Sequence, residues 1–401
     1  MPISDVRHQA RAHRVLQRAM NSRRVPHAYV FHGPEGVGKK TLAMRFARLL
    51  LCAKPVPIVP PDELTGPEQI EWRDACGRCE ECAMTAAGTH PDMHVVYKEL
   101  NRYHPAPEVR ARKAIDLGVD VVRHFIIERV GDRPARGRAR VFVVLDGDQM
   151  SIAAQNALLK TIEEPPGTAF IILVSRSLER LLPTTQSRCQ TVPFRALPTD
   201  FVAEQLRTLR PDLPPEPRHF LARYGDGRLG VALAQADAGL FEIKVRLNSI
   251  ANTMGELGPI EFAVRVQQCA AALADRYVER MVESGLVDKS TEASTTEPTR
   301  RGLIESLAVL SWLYRDALRV ACGRGDDVAN LDQMDVVRSL SARVDLETAA
   351  EAIREIHRAG TNITNNANVA LTLEALAIRL LRLERRADTL REFQPARGDG
   401  P

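Results

Sequence analysis

A glycine-rich segment between two apolar stretches constrains the fold of this chain more than any other feature. The β-rich run Ala28–His32 leads directly into the letters GPEGVGK, which contain Gly33, Gly36, Gly38 and Lys39, and a stretch with helical periodicity follows. In a strand, loop and helix of this order, backbone N–H groups and the positive end of the helix surround a phosphate. A glycine-rich turn without a ligand is the simpler alternative. The context favours a phosphate-binding loop of the Walker A type, in which Lys39 reaches the terminal phosphates.

One position departs from that pattern. The hydroxyl residue that binds Mg²⁺ should directly follow the lysine, and Lys40 stands there instead. Thr41 is one residue further on, and a step of about 100° around the helix points it elsewhere. Lys40 and Thr41 therefore belong to the candidate cofactor-binding segment, but the sequence predicts phosphate binding without metal-assisted hydrolysis. It leaves open whether ATP, ADP or no nucleotide is bound.

Further apolar runs alternate with helical stretches up to about residue 195. Continuous apolar strands of this kind are typical of a parallel sheet with helices on both faces, so we predict an α/β nucleotide-binding domain over residues 1–195. One run ends in Asp146, which we interpret as the metal-binding acid of a Walker B strand, with a turn residue as the alternative. The five predicted strands are Ala28–His32, Met93–Tyr97, Val141–Leu145, Ala169–Val174 and Gln190–Phe194.

Four of the seven cysteines form a candidate metal site. Cys76, Cys79 and Cys82 have the spacing C-x₂-C-x₂-C, and Cys52 lies at the end of the helix that follows the phosphate loop. Four thiolates complete a tetrahedral Zn²⁺ site, and the same spacing also holds iron–sulfur clusters. Buried free thiols are the remaining alternative. We predict a metal-binding insertion over about residues 52–90.

The second half of the chain has no strand signal. We predict a small helical domain over 196–240 and a helical domain over 241–401, with an exposed loop at the polar stretch 288–300. No apolar run reaches the roughly 18 residues that a membrane span needs, and the first residues do not read as a secretory signal, so we expect a cytoplasmic protein. A net charge of +4 permits contact with nucleic acid without arguing for it.

Several segments, in order, resemble the clamp-loader branch of the AAA+ proteins over nearly the whole chain. The matching segments are PHAY at 26–29 before the phosphate loop, NALLKTIEEPP at 156–166, SRC at 187–189 and NAN at 366–368. The resemblance implies an AAA+ core, a helical lid over 196–240 and a helical collar over 241–401 that joins subunits. It also favours structural zinc at the four cysteines.

The resemblance further implies a division of roles. Arg188 in the SRC segment corresponds to an arginine finger that reaches a neighbouring subunit's ATP in trans. Active motors carry a glutamate where this chain has Gly147 and a sensor arginine where it has Gly230. Together with the missing Mg²⁺ hydroxyl, these losses resemble the delta-prime class, whose intrinsic ATPase is absent or weak.

The implied partners are gamma/tau and delta subunits in a pentameric ring, a sliding clamp and primed DNA. An active gamma/tau-type ATPase is the first alternative. A P-loop phosphotransferase would require acid and base residues around an acceptor pocket, and the sequence shows no such set. A stand-alone zinc-bearing DNA-binding protein is the third alternative.

Overall fold

The computed structural model describes residues 2–22, 25–64, 70–136, 139–283 and 296–392. The chain divides into two compact units, one formed by residues 1–198 and 227–230, the other by 199–226 and 231–401. Within the described ranges, no helix is both long enough and apolar enough to cross a membrane. The three-domain division and the cytoplasmic location remain predictions.

The first unit is built on a parallel sheet of five strands in the order β4-β5-β6-β1-β7. These strands agree with the five predicted ones to within one residue at each end. A separate antiparallel pair, β2 with β3, lies in the cysteine-bearing segment. The strands are β1 (Ala28–His32), β2 (Val56–Pro57), β3 (Arg73–Asp74), β4 (Met93–Val96), β5 (Arg140–Val144), β6 (Ala169–Ser175) and β7 (Gln190–Pro193).

Helices cover both faces of the five-stranded sheet. The helices are α1 (Ala10–Asn21), α2 (Lys39–Leu51), α3 (Glu80–Ala87), α4 (Pro107–Arg110), α5 (Val119–Val122), α6 (Glu128–Val130), α7 (Ile152–Glu163) and α8 (Pro183–Gln186). A π-helical turn, Arg123–Ile127, joins α5 to α6. Short 3-10 turns occur at Ile3–Asp5, Asp62–Leu64, Lys98–Tyr103, Gly147–Gln149 and Leu178–Arg180.

Side chains of β1 show why the sheet is buried on both sides. Successive strand residues point to opposite faces. Phe31 packs in one apolar cluster with Phe46 of α2, whereas Val30 packs in another with Leu158 of α7. The first four residues of β1 are apolar and buried because neither face of the strand is exposed to water, which makes an alternating pattern unnecessary. The α/β prediction is confirmed.

The second unit is helical, and its described residues contain no strand. Its helices are α9 (Thr199–Leu209), α10 (Pro215–Tyr224), α11 (Leu229–Asp237), α12 (Leu240–Asn252), α13 (Met254–Glu283), α14 (Thr296–Ala321), α15 (Met334–Arg343), α16 (Leu346–Thr364) and α17 (Val369–Glu392), and a 3-10 turn spans Leu331–Gln333. Helix α13 is interrupted at Gly258, which has a φ of 72° and precedes Pro259. Of the predicted loop 288–300, residues 288–295 lie outside the described residues. The part from Thr296 onward is wrong, because it forms the first turns of α14.

Candidate functional site

The phosphate loop lies between β1 and α2 and depends on glycines. Gly33, Gly36 and Gly38 have φ values of 142°, 75° and 97°, a region that side chains rarely tolerate. A Cβ atom on Gly33 would lie 2.4 Å from the backbone oxygen of Phe194, which is far closer than atoms pack. The loop therefore has the curled backbone that a phosphate cradle needs, held directly against the residue that follows β7.

Lys39 is turned inward onto its own loop. Its Nζ donates to the backbone oxygen of Gly33 at 2.7 Å and to that of Pro34, and the residue is only 6% exposed. Burial lowers the pKa of Lys39 to about 8, against the opposing attraction of Glu35 and Asp148. Phosphate oxygens would have to replace these carbonyl contacts for Lys39 to bind a nucleotide.

The residues after Lys39 do not supply a metal ligand to the loop interior. Lys40 and Thr41 are both exposed at the start of α2. This position agrees with the expectation that the Mg²⁺ hydroxyl is missing, although their part in cofactor binding remains a prediction.

The predicted Walker B acid, Asp146, follows β5 and already accepts two hydrogen bonds. Its Oδ2 accepts from the backbone N–H of Lys98 at 3.0 Å, and its Oδ1 accepts from Gln149 at 3.4 Å. The next residue, Gly147, packs against β6. A Cβ there would lie 3.0 Å from the backbone oxygen of Val174. A glutamate at this position would therefore require a shift of the backbone.

Asp148 and Arg176 form an ion pair that the sequence analysis did not identify. The Asp148 carboxylate is buried and accepts from the backbone N–H of Arg176 at 3.1 Å and from its Nε at 2.9 Å. Arg176 directly follows β6. Both residues act electrostatically on Lys39, which places them at the same edge of the sheet as the phosphate loop. Only the strand-end position could have indicated Arg176.

Gly230 occupies the position at which the resemblance implies a sensor arginine. Its backbone N–H donates to the backbone oxygen of Gly36 at 2.8 Å. A Cβ on Gly230 would lie 2.9 Å from the Cα of Gly36. Backbone therefore packs on backbone at this point of the phosphate loop, and no side chain fits without a rearrangement.

The structure brings the four predicted cysteine ligands together. The Sγ atoms of Cys52, Cys76, Cys79 and Cys82 all lie within 4.8 Å of one another, and those of Cys52 and Cys79 are 3.9 Å apart. Tetrahedral Zn²⁺ with Zn–S bonds of about 2.3 Å sets S–S separations of about 3.8 Å. The thiol set therefore fits a closed four-sulfur site.

Local structure explains how distant parts of the chain meet there. Cys52 caps the end of α2, whereas Cys79 directly precedes α3 and Cys82 lies within it. Gly77, with a φ of 74°, makes the turn that aims the backbone N–H groups of Arg78 and Cys79 at the Cys76 sulfur. These hydrogen bonds lower the pKa of Cys76 to about 6, whereas burial raises that of Cys52 to about 12.

Arg188 lies beyond the end of α8, two residues before β7. Its guanidinium forms an ion pair with Glu163 and donates from Nη1 to the backbone oxygen of Thr184 at 3.0 Å. The side chain is 36% exposed. None of the contacts among the described residues joins Arg188 to the phosphate loop or to the cysteines of the same chain.

Comparisons with known proteins find matches among DNA polymerase III subunits. A family model described as "DNA polymerase III, delta subunit" matches residues 8–198, and one described as "DNA polymerase III, delta subunit, C terminal" matches 297–383. The Pseudomonas aeruginosa protein named "DNA polymerase III subunit delta'" is 36% identical over 195 residues, which are 49% of this chain and 50% of that relative. The chain thus spans about half the length of this relative.

Two further relatives extend the comparison. The Bacillus subtilis protein named "DNA polymerase III subunit delta'" is 21% identical over 372 residues, 93% of this chain and 96% of the relative. The Mycobacterium tuberculosis protein named "DNA polymerase III subunit gamma/tau" is 35% identical over 183 residues, 46% of this chain and 27% of the relative. Taken with the parallel sheet, the phosphate loop and the helical second unit, these matches show that the chain is similar to DNA polymerase III subunits of the delta' and gamma/tau types.

Proposed function

We propose that this chain is a delta-prime-type clamp-loader subunit, which completes a neighbour's ATP site in trans and does not hydrolyse ATP itself. The observation that carries the proposal is the close backbone packing at two glycines. Gly147 lies against β6 and Gly230 against the phosphate loop, so a Cβ atom at either position would crowd backbone atoms, at 3.0 Å and 2.9 Å respectively. A site built in this way lacks the groups that polarise water and stabilise the transferring phosphoryl.

The phosphate loop itself supports a binding role more than a catalytic one. Its glycine conformations are those of a cradle, while Lys39 is engaged with loop carbonyls and Lys40 replaces the metal-binding hydroxyl. Bound ATP or ADP would stabilise the subunit without being turned over. Asp146, already hydrogen-bonded, would contribute to such a site without a catalytic partner.

Structural zinc at the four cysteines is part of the same proposal. With all four positions of the tetrahedron taken by sulfur, the ion has no open position for substrate. Cys52, Cys76, Cys79 and Cys82 would tie the end of α2 to α3, a stretch with little apolar core of its own. The thiolates would also bring negative charge to a site where Arg48 hydrogen-bonds to Cys82.

The proposed partners are inferred from the resemblance to clamp-loader subunits. We propose that the helical second unit joins gamma/tau and delta subunits in a pentameric ring, which loads the sliding clamp on primed DNA in the cytoplasm. Arg188 is the residue offered to the neighbour's ATP. A permanently charged, planar guanidinium suits the charge that spreads over phosphoryl oxygens during transfer.

An active gamma/tau-type ATPase is the second candidate, favoured by the 35% identity to the Mycobacterium tuberculosis protein over 183 residues. The two candidates differ in what the isolated chain does. A motor subunit turns over ATP alone, whereas a delta-prime-type subunit is inactive alone and required in the assembly.

The test is an omission experiment. Clamp loading on primed DNA is measured with purified gamma/tau, delta and clamp, with and without this chain, alongside ATP hydrolysis by the chain alone. We expect loading to need the chain and the isolated chain to show no turnover. Turnover by the isolated chain would favour the motor candidate, and loading that proceeds equally without the chain would contradict the delta-prime proposal.

A further inference from the structure

Arg188 is held by an acidic residue to which nothing above assigns a role. Glu163, the last residue of α7, forms an ion pair through its Oε1 with the Nε of Arg188. The two residues are 25 positions apart in sequence, so the pair exists only because α7 and the segment after α8 come together in the fold. Both side chains are partly exposed, at 36% for Arg188 and 44% for Glu163.

The contacts engage Nε and Nη1 of the guanidinium and leave Nη2 without a partner among the described residues. Besides the Nε contact, Nη1 donates to the backbone oxygen of Thr184 at 3.0 Å and approaches the Oγ of Ser187 at 3.4 Å. Nη2 makes no hydrogen bond to any residue in the described part of the chain. The planar group therefore has a defined orientation, with its Nη2 amino group available to an external acceptor.

The contribution of the Arg188–Glu163 ion pair to folding stability does not explain why the pair is present. An exposed ion pair contributes little to folding stability, and often nothing measurable. An arginine side chain left unpaired would sample many rotamers, and ordering it costs free energy whenever it binds. Holding the guanidinium in one orientation before the partner arrives removes part of that cost from the reaction step.

Glu163 lies at the end of a well-packed helix. Helix α7 buries Ala154, Leu158 and Ile162 against the sheet, so its last turn belongs to a packed element and not to a mobile loop. A positioning group on a packed helix holds a neighbouring side chain more closely than one on a loop does.

We propose that Glu163 is a positioning residue for the trans-acting Arg188: it binds Nε so that Nη2 faces the neighbouring subunit's terminal phosphate. This inference rests on the proposed function, because it needs Arg188 to act in trans. It adds a second residue to that role. Glu163 touches neither the substrate nor the reacting atoms, and its effect passes through the orientation of Arg188.

The test uses the loader reconstituted with clamp and primed DNA. ATP hydrolysis is measured over a range of ATP concentrations for wild type, Arg188→Ala, Glu163→Ala, Glu163→Gln and the adjacent control Glu164→Gln. The difference between wild type and Arg188→Ala defines the Arg188-dependent part of kcat. Glu163→Ala should lower that part about tenfold, since even small misplacements of a catalytic group cost factors of this size.

Two further results separate positioning from a structural role. Glu163→Gln keeps an oxygen that accepts from Nε and should restore most of the Arg188-dependent rate, while Glu164→Gln should match wild type. KM for ATP, subunit assembly and the thermal unfolding midpoint should be unchanged in all of these variants.

The outcomes distinguish this inference from the function on which it rests. If Arg188→Ala leaves ATP turnover intact, the trans role itself fails. If Arg188→Ala abolishes the dependent rate but Glu163→Ala does not lower it, the positioning role is wrong and the proposed function stands. A Glu163→Ala effect that appears only as lost assembly or lower thermal stability would also overturn the positioning role.

Discussion

Replacing Lys244 with methionine tests how the second unit is held together. Lys244 lies on α12 with its side chain fully buried, and its Nζ is 2.6 Å from both carboxylate oxygens of Asp332. The same Nζ lies 4.5 Å from the centre of the Phe241 ring and 5.1 Å from that of Phe220. Burial lowers the pKa of Lys244, while Asp332 acts in the opposite sense and favours the charged form.

The expected cost follows from what the substitution leaves behind. Methionine fills a similar volume, so packing is largely kept, but Asp332 loses its cation while its side chain stays only 15% exposed. Breaking one side of a buried pair costs about 3–5 kcal/mol. Because Asp332 retains some contact with water, we expect the lower end, about 3 kcal/mol. Removing both charges, in Lys244→Met with Asp332→Asn, should recover most of that loss.

The assay is equilibrium unfolding in urea, followed by tryptophan fluorescence. The chain has two tryptophans, and Trp72→Phe leaves Trp312 on α14 as the reporter of the second unit. Arg246→Met, an exposed change on the same helix, is the matched control and should alter the free energy of unfolding by less than about 0.5 kcal/mol. A cost below about 1 kcal/mol for Lys244→Met, or an equal cost with and without Asp332→Asn, would mean that the buried ion pair does not stabilise the second unit as expected.

Three other predictions concern the first unit. Burial lowers the pKa of His13 from 6.5 to about 4, so its stabilising effect is complete above pH 6.5 and falls as the pH drops towards 4. Lowering the pH from about 7 to 5 should therefore reduce the free energy of unfolding by about 2 kcal/mol through His13. His13→Gln should lack this loss, and equal pH slopes for both proteins would contradict it. Gly147→Glu should not create an ATPase. It should lower the free energy of unfolding by about 1–3 kcal/mol, because the new Cβ atom meets the backbone oxygen of Val174. ATP turnover by the isolated variant would contradict this prediction. Wild-type protein purified without chelator should contain zinc and lack iron–sulfur absorbance, whereas Cys79→Ser should have lost the zinc. Wild-type protein without zinc would contradict the prediction.

The parallel sheet could be predicted from the sequence because its strands are buried on both faces. A run such as Val141–Leu145 is apolar at every position, and the structure places a strand there at Arg140–Val144. The cysteine set was also predictable, since ligand spacing indicates which thiols meet once α2 and α3 are recognised. The start of α14 was harder to predict, because the polar residues there have the composition of a loop.

What the sequence could not indicate depends on contacts between distant segments. The resemblance implies a sensor arginine at the position of Gly230, but it does not indicate that the backbone N–H of Gly230 donates to Gly36. Likewise, nothing local pairs Glu163 with Arg188 or Asp148 with Arg176, because each pair forms only when two elements pack together. Lys39 has the expected position, yet its engagement with the loop's own carbonyls emerges only from the folded backbone.

The most direct test of the central claim is ATP hydrolysis by the reconstituted loader containing Arg188→Ala. Arg207→Ala, an exposed arginine on α9, serves as the control. We expect a large loss of clamp- and DNA-stimulated turnover for Arg188→Ala, none for Arg207→Ala, and no turnover by the isolated chain in any form. Unchanged turnover with Arg188→Ala in a fully assembled ring would contradict the trans-acting role.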